Sequence, residues 1–537
     1  MPDTYDVIIC GAGAGGGYLA GEIAANGTVL LLDAGPHIGA GEAMAPGIGS
    51  PSRRKFSTQI NLGKYIPDSK TSGGQGNAFF AYPIYMDQSN PVFSAVQREP
   101  RVVGGGTFLN VGAWVRPRTV DFDGFAEETG VKGWSKQDFE PFFQQCEKTQ
   151  FVHRTPRENW NPGSIAYEKA ANRLGIKMYE TSTNKFHCIF CGHRLDAGMP
   201  CKYDSLMGTA QTQIPKAIAA GATVLDNATV VKVEITNNKA TGVTYVRNGV
   251  TTTATARKLV VVAAGAIGTP AILFSSGVWD KNKNVGQYLR AHPGIAMDAL
   301  VPEPPAGGRW NTDRGYQWNC YHYPLDEKGQ PVDVIIHASA GFPAATPWVA
   351  AQVGFFGQAY KDLMRRYPQR VGAFHFQLKP SIYGRVMGGV EKPIINYPVA
   401  TVDGVLEPKI LSDFTASIRT SARIFKEMGA IDMYPNPNLS TALFNQTITQ
   451  LVTTAGALHP QGTCRAGASR TNSVVDTNCM SFDVDNLMCC DASVIPNHIS
   501  SNPNSMIMAI GARAGAFVRS SILNTPSKNI STDEVAQ

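Results

Sequence analysis

Two side chains near the end of this 537-residue chain are of types that can handle a hydroxyl group. His459 carries an imidazole, whose usual pKa of about 6.5 suits it to accept a proton at ordinary pH. Its small and apolar surroundings, residues 456–460, are by themselves more typical of a structural histidine. Asn502 offers a carboxamide that can hold an oxygen atom without competing for its proton. However, the pair Asn502-Pro503 is also a favourable start for a helix, so these residues alone leave both interpretations open.

A glycine-rich turn near the start of the chain predicts a dinucleotide site. The apolar run at residues 5–10 predicts a strand that leads into this turn, and residues 28–33 predict the next strand. In such a β-α-β unit, one glycine permits the tight turn, a second lets the backbone approach the phosphates, and a third lets the helix pack closely on the sheet. The acidic residue that ends the second strand accepts hydrogen bonds from ribose hydroxyls. The residues expected to bind the dinucleotide are Gly11, Gly13, Gly16, Asp33 and Ala34.

Three cysteines lie close together in the sequence. Cys188 and Cys191 are followed by Cys201, and His187 and His193 lie nearby. This spacing is compatible with a metal centre, but a disulfide or simply packed thiols is the preferred expectation. We therefore predict no metal and keep a metal cluster as the alternative.

Composition excludes several classes of function. Forty-eight basic and 42 acidic residues give a net charge of only +6, so nucleic-acid binding is not indicated. No run of 18 apolar residues occurs, which predicts no membrane span. No export signal precedes the first predicted strand, so a cytoplasmic location is expected. The length is too great for one hydrophobic core and predicts more than one domain.

The pattern of apolar residues changes along the chain. Residues 36–100 are rich in Gly, Pro and Ser with little periodicity, which is typical of a segment that covers a cofactor or lines an entrance. Residues 259–264 form an unbroken apolar run, which predicts a buried strand. Between residues 300 and 450, alternating segments interrupted by Pro and Gly predict an antiparallel sheet. On one of these strands His375 and Gln377 share a face, and they are candidate substrate contacts.

Four blocks, in order, together resemble the glucose-methanol-choline (GMC) family of flavoprotein oxidoreductases. The first is the N-terminal glycine motif. Residues 101–116 look like the first signature of the family, and residues 265–278 are similar to the second, which leads into His292-Pro293. There His292 is interpreted as closing a turn. The fourth block consists of residues 458–464, 490–496 and 500–503.

This resemblance implies an α/β fold in which a Rossmann-like FAD-binding domain is assembled from separated segments. A second, α+β domain with a large antiparallel sheet would bind the substrate. The region 101–118 contains no His or Cys to which a flavin could be attached, so FAD is expected to be non-covalent. The implied FAD-binding segments are 1–40, 85–120, 205–298 and 455–525; 41–84 and 121–204 are cover or connecting segments, and 299–454 binds substrate.

The resemblance also implies the reaction. The expected activity is oxidation of a hydroxyl of a sugar, polyol or other alcohol, with hydride passing to flavin N5, His459 as base and Asn502 as its partner. Oxygen or another acceptor would take the electrons. The alternatives are a non-redox lyase of the same fold and a dehydrogenase subunit that passes electrons to a partner protein. Further cofactor contacts implied by the resemblance are Gly105, Gly106, Thr107, Asn110, Val231, Asp491, Ala492 and Pro503.

Overall fold

The computed structural model describes residues 4–37, 79–85, 93–189, 201, 204–304, 309–310, 318–340, 357–400, 405–455 and 457–524. The strands in these ranges are β1 (Thr4–Cys10), β2 (Val29–Leu32), β3 (Phe79–Tyr85), β4 (Phe93–Pro100), β5 (Ala113–Trp114), β6 (His153–Arg154), β7 (Tyr179–Glu180), β8 (Ser182–Thr183), β9 (Thr223–Leu225), β10 (Ala228–Thr236), β11 (Lys239–Arg247), β12 (Val250–Val262), β13 (Arg290–Leu300), β14 (Trp318–His322), β15 (Val334–Ala340), β16 (Arg370–Gln377), β17 (Arg385–Met387), β18 (Ile394–Asn396), β19 (Asp432–Tyr434), β20 (Ala457–Gln461) and β21 (Leu487–Cys489).

The α-helices are α1 (Ala14–Ile23), α2 (Gly106–Leu109), α3 (Thr119–Thr129), α4 (Lys136–Thr149), α5 (Pro162–Arg173), α6 (Gln213–Ala219), α7 (Gly265–Ser275), α8 (Val278–Lys281), α9 (Gly357–Arg365), α10 (Pro408–Glu427), α11 (Thr441–Ala455) and α12 (Asn504–Phe517). Short 3₁₀ turns occur at Arg157–Asn159, Tyr367–Gln369 and Ala492–Val494, and Val518–Ile522 forms a π-helical turn.

The first sheet contains the N-terminal strand at its centre. Strand β1 runs parallel to β12 on one side and to β2 on the other, and β2 is parallel to β9. The C-terminal strand β21 also pairs in parallel with β12, while β10, β11 and β12 form an antiparallel meander. The parallel strands are unbroken apolar runs because both faces of the sheet are covered. This arrangement confirms the predicted α/β domain, which the two ends of the chain build together.

The second large sheet is antiparallel, with the strand order β19-β13-β16-β15-β14-β7, and β20 pairs with β13 beside it. On one face, side chains such as Ile295 and Ile336 form an apolar core with α10, represented by Phe414 and Ile418. The other face carries a smaller cluster that contains residues of the first domain. Its buried members are Val111, Ala113, Trp318, Ile335, Phe376 and Leu378.

The strand pairing moves some of the expected domain boundaries. Strand β13 belongs to the antiparallel sheet although it begins before residue 299, and β7 comes from the expected connecting segment 121–204. Strand β20, after residue 454, also joins this sheet through β13. These pairings join segments that are distant in the sequence, so local patterns could not place the boundaries.

Two smaller sheets complete the described fold, in the orders β17-β18-β3-β4 and β5-β8-β6. Strands β3 and β4 lie within residues 36–100, where the sequence showed little periodicity. Across the described ranges, no helix combines the length and apolarity that a membrane crossing requires.

Candidate active site

Two glycines of the turn after β1 lie so close to neighbouring backbone that a side chain would not fit. Gly11 has a φ of +112°, and a Cβ there would lie 2.2 Å from the carbonyl oxygen of Ala263. A Cβ on Gly16 would lie 2.1 Å from the carbonyl oxygen of Gly11 and 2.8 Å from Cβ of Ala263. Both glycines therefore allow helix α1 to approach the end of β12, because no side chain fits between them.

Two further glycines border open space. A Cβ on Gly13 or on Gly106 would meet no heavy atom of the described residues within 4 Å. The two segments approach each other closely, since a Cβ on Gly105 would lie 3.0 Å from Cα of Gly13. Bare backbone from two segments thus faces an unfilled volume next to the start of helix α1. These residues fit the diphosphate of a dinucleotide such as FAD.

Asp33 was expected to bind ribose hydroxyls, and the structure gives its carboxylate other partners. Its Oδ2 accepts a hydrogen bond from the backbone N–H of Ala12, and its Oδ1 accepts one from that of Gly35, both at 2.8 Å. Burial raises the pKa of Asp33 to about 6. The carboxylate therefore fixes the glycine turn, and only its remaining lone pairs are left for a ribose. Ala34 follows as a half-buried residue.

In the first signature as well, polar side chains form hydrogen bonds within the protein. Thr107 is fully buried, and its hydroxyl donates to the carbonyl of Gly104 at 2.7 Å. Its contact with the cofactor stays a prediction. The Oδ1 of Asn110 accepts from the N–H of Gly112 at 2.8 Å and closes a turn. Val231 is half-buried in β10, at an irregularity in its pairing with β11.

Asp491 connects two segments that the sequence separates. Its Oδ2 accepts from the N–H of Gly265 at 2.8 Å and from the hydroxyl of Thr269 at 2.5 Å. Its Oδ1 accepts from the N–H of Ser493 at 2.7 Å, and burial raises its pKa. The carboxylate therefore holds the start of α7, and a contact with cofactor hydroxyls is not its main use. The carbonyl of the adjacent Ala492 accepts from the N–H of Gly462 at 3.0 Å.

His459 lies in β20 with a φ of +62°, a left-handed conformation that is uncommon for a residue other than glycine. Its ring centroid lies 5.3 Å from that of Phe376, and its Nδ1 lies 3.0 Å from Nδ1 of His292. Burial lowers the pKa of His459 well below its usual value, and the rings of His292 and His337 lower it further. Part of its surface nevertheless stays accessible. A neutral imidazole that is partly accessible is suited to act as a base.

His337, which the sequence reasoning missed, lies between the two predicted catalytic residues. It is fully buried on β15 and stacks on Trp318 with ring centroids 4.5 Å apart. Burial lowers its pKa to about 3, although the nearby side chain of Asn502 by itself raises this pKa. Neither ring nitrogen has a hydrogen-bond partner in the described structure, and the same is true of the indole N–H of Trp318.

The structure does not use the side chain of Asn502 as a helix cap. Helix α12 begins at Asn504, with Pro503 in the capping position and no side-chain cap. The Oδ1 of Asn502 is buried and has no hydrogen-bond partner among the described groups, and its side chain lies beside His337. His337 also lowers the pKa of His459. The structure therefore brings His459 and Asn502 into one cluster around His337. This cluster contains unpartnered polar atoms next to the start of a helix.

Comparison with known proteins agrees with this architecture. Two family models, each described as GMC oxidoreductase, match residues 73–294 and 394–511. The chain belongs to the GMC oxidoreductase family. An uncharacterized GMC-type oxidoreductase of Sinorhizobium fredii is 25% identical over 521 residues, covering 95% of this chain and 93% of the relative. The oxygen-dependent choline dehydrogenase of Citrobacter koseri is 25% identical over 584 residues, covering 96% and 95%.

Solved structures resemble this GMC oxidoreductase over nearly its whole length. Pyridoxine 4-oxidase from Mesorbium loti has a TM-score of 0.67 at 18% identity and covers 95% of this chain and 98% of its own. A formate oxidase variant of Aspergillus oryzae reaches 0.70 at 17%, with 97% and 98% covered. A fungal aryl-alcohol oxidase reaches 0.66 at 14%, with 96% and 98% covered. These likenesses establish the fold, and membership of the family makes the protein an FAD-dependent oxidoreductase.

The predicted substrate contacts of this GMC oxidoreductase need correction. His375 is fully buried, and its Nδ1 lies 3.0 Å from Oγ of Ser417 on α10. The amide of Gln377 donates to Oδ2 of Asp413 at 3.0 Å, on the same helix. Both side chains therefore lie on the sheet face that packs against helices, whereas His337 lies on the opposite face. The prediction that they contact substrate was wrong because alternation defines a face but not what covers it.

Two other sequence interpretations concern histidine and cysteine. His292 does not close a turn; it lies in β13 and contacts His459. Cys191 lies outside the described residues, so the proposed cluster with Cys188 and Cys201 stays a prediction. The Sγ of Cys201 accepts from the N–H of Ser205 at 3.3 Å. Within the part of the chain that is described, no group of three metal-binding side chains is found.

Proposed function

We propose that this GMC oxidoreductase oxidises the CH–OH group of an alcohol to a carbonyl, with His459 as base and Asn502 as the group that holds the oxygen. The observation that carries this proposal is the cluster of unpartnered polar atoms around His459. Buried donors and acceptors without partners are costly, and they are expected where a ligand supplies the missing hydrogen bonds. Oδ1 of Asn502 and both ring nitrogens of His337 meet this description.

The chemistry divides between the cofactor and the protein. FAD, held by the glycine segments around Gly13 and Gly106, would supply the acceptor for the hydride that leaves the carbinol carbon. His459 takes the hydroxyl proton, and burial keeps its imidazole neutral and ready to do so at ordinary pH. Asn502 and His337 hold the substrate oxygen as the O–H bond breaks. The proton and the hydride together account for the two hydrogens lost when the alcohol becomes a carbonyl.

The names of related proteins and the aromatic side chains near His337 support an alcohol as the substrate. The names of the related choline dehydrogenase, pyridoxine 4-oxidase and aryl-alcohol oxidase all indicate alcohol-bearing substrates. Trp318 and Phe376 provide flat apolar surfaces on the same sheet face as His337. Such surfaces suit a sugar ring or an aromatic ring. We therefore propose a sugar, a polyol or another alcohol with a planar or ring-shaped part.

The test is flavin reduction in the absence of oxygen. The yellow holoprotein is mixed anaerobically with sugars, polyols, benzylic alcohols, pyridoxine and choline, and bleaching of the oxidised flavin band is followed. One class should bleach the flavin, and peroxide formation in air then separates an oxidase from an enzyme that uses another acceptor. If no alcohol bleaches the flavin, the non-redox lyase becomes the better hypothesis.

The base assignment has its own test. H459A should lower the rate of flavin reduction by about 10²–10⁴-fold while FAD stays bound. A matched control is H375A, which removes a buried histidine from the helix-facing side of the sheet and should leave this rate unchanged. Near-normal reduction by H459A would reject His459 as the base. Release of intact FAD by acid precipitation would support non-covalent binding, and flavin that stays with the precipitate would contradict it.

A further inference from the structure

The contact between His459 and His292 is the starting point. Both lie on paired strands, because β13 and β20 run antiparallel with His292 opposite Leu458 and an irregularity at this position. The two rings are nearly perpendicular, at 84°, with centroids 5.1 Å apart and Nδ1 atoms 3.0 Å apart. His292 is fully buried, so no water competes for this contact.

A hydrogen bond between two imidazole nitrogens requires one donor and one acceptor. Burial lowers the pKa of His292 to about 4 and that of His459 well below its usual value, so both rings are neutral at ordinary pH. Each neutral ring carries a single N–H. Either His459 donates from Nδ1 and its Nε2 keeps a lone pair, or His292 donates and the proton of His459 lies on Nε2. Only the first arrangement gives His459 a basic nitrogen that can face the substrate.

The 3.0 Å contact requires one of the two arrangements, the proposed role of His459 as base requires the first, and the surroundings of His292 are compatible with it. Its Nδ1 is directed at His459, which leaves Nε2 for other groups, and Nε2 is buried. No described group meets Nε2 with the geometry of a full hydrogen bond, but the backbone of Ile499 raises the pKa of the ring. A backbone group has this effect when its carbonyl oxygen faces an N–H. A proton on Nε2 of His292 would face this carbonyl, whereas a lone pair there would be repelled by it.

We propose that His292 is a positioning residue that holds the proton of His459 on Nδ1, so that Nε2 of His459 takes the substrate proton. This inference rests on the proposed role of His459 as base. After the transfer, the imidazolium of His459 still donates from Nδ1 to the lone pair of His292. The O–H bond of the alcohol breaks and the new N–H bond forms on Nε2, so His292 neither gains nor loses a proton. In serine hydrolases, by comparison, a carboxylate holds the catalytic histidine in this way.

The direct test observes where the protons lie. The holoenzyme is labelled with ¹⁵N-histidine, and the ring nitrogens of His459 are assigned by their loss in H459Q. The proposal predicts a protonated Nδ1 and a bare Nε2 on His459, with the opposite pattern on His292. A protonated Nε2 on His459 would overturn the proposal. This measurement uses the wild-type chain, so it decides even if variants at position 292 fold poorly.

A pair of variants tests the consequence for catalysis. H292L removes the acceptor and should slow flavin reduction by about 10–100-fold with FAD still bound, as loss of an orienting partner does elsewhere. H292N places an amide oxygen where Nδ1 was and should restore most of the rate. In H292L the solvent deuterium isotope effect on flavin reduction should also rise, because O–H cleavage becomes the limiting step. H375N is the matched control on the other face of the sheet.

Three outcomes of this pair would contradict the positioning role. They are a normal rate in H292L, an equal loss in H292L and H292N, and an unchanged isotope effect in H292L. The two proposals can fail separately. If H459A is active, both the base role of His459 and the positioning role of His292 are rejected. If H459A is inactive but the protonation pattern is the reverse of the predicted one, only the role of His292 is rejected.

Discussion

The two faces of the antiparallel sheet differ in whether a buried histidine ring has at least one hydrogen-bond partner in the described structure. On the helix-facing side, His375 bonds to Ser417, and the hydroxyl of Tyr167 lies 3.1 Å from Nε2 of His322. On the side facing the first domain, His337 and the indole N–H of Trp318 have no hydrogen-bond partner within the described structure.

This contrast separates the proposed substrate-binding histidine from the structural ones better than residue type does. Histidines of both faces are fully buried, and burial lowers the pKa of His337, His322 and His375 alike to about 3. Perturbed pKa values therefore do not distinguish the faces here. The presence of partners does, because a buried polar group that the fold itself leaves unpaired is retained where a ligand completes it.

The largest expected effect follows from removing an unpaired group. H337L should lower kcat/KM for the alcohol by about 10–100-fold, because the substrate oxygen loses a hydrogen-bond partner. Its free energy of unfolding should be unchanged or higher, since the fold loses no hydrogen bond. Stopped-flow flavin reduction and urea unfolding measure the two effects. A strongly destabilised but fully active H337L would break the contrast between the faces.

The mirror-image change is H375L on the helix-facing side. It leaves the hydroxyl of Ser417 without its ring partner and should lower the free energy of unfolding by about 1–3 kcal/mol. Flavin reduction by the folded protein should stay normal, because His375 lies behind the sheet. Urea unfolding alongside H337L gives the comparison. Loss of turnover in a well-folded H375L would restore the discarded substrate role.

The glycine turn offers the same contrast between filled and open space. G13A adds a methyl group where no atom of the described ranges lies within 4 Å, so the protein should fold, and its affinity for FAD should fall roughly tenfold. G16A would force a Cβ to 2.1 Å from a backbone oxygen and should prevent normal folding. Flavin titration and circular dichroism of the two variants test this. Unchanged FAD affinity in G13A would argue against a diphosphate beside this residue.

The smallest expected effect is on the pH dependence of stability, to which buried histidines of both sheet faces should contribute alike. The unfolded chain protonates its histidines near pH 6.5, whereas burial lowers the pKa of His292 to about 4 and of His337 and His375 to about 3. The unfolded state then binds more protons, so stability should fall as the pH drops below about 6.5. Asp33 and Asp298, each with a pKa raised to about 6, oppose this between pH 6 and 4.

Urea midpoints at pH 7.5, 6 and 5 measure this dependence. H337L and H375L should each flatten it by a similar amount, because each removes one histidine that is held neutral in the fold. A flat profile in the wild-type protein would contradict the burial of these rings.

Local sequence was sufficient for several parts of the site. The glycine spacing predicted the β1-α1-β2 unit, and the types of His459 and Asn502 indicated residues that the fold brings to one cluster. Local sequence was insufficient for side chains whose partners are distant. Thr107 and Asp491 look like cofactor contacts, but Oγ1 of Thr107 accepts from the N–H of Thr209 and Oδ2 of Asp491 accepts from the N–H of Gly265.

The amino-acid sequence by itself determined the elements: strands from apolar runs, a glycine turn from residues without side chains, and a helix that starts after Pro503. Only the tertiary structure decided which sheet face is covered by helices and which one meets the first domain. Alternation along a strand assigns His337 and His375 to different faces without saying which face is which. That choice depends on strand pairing and on packing between segments hundreds of residues apart, such as β13 with β20.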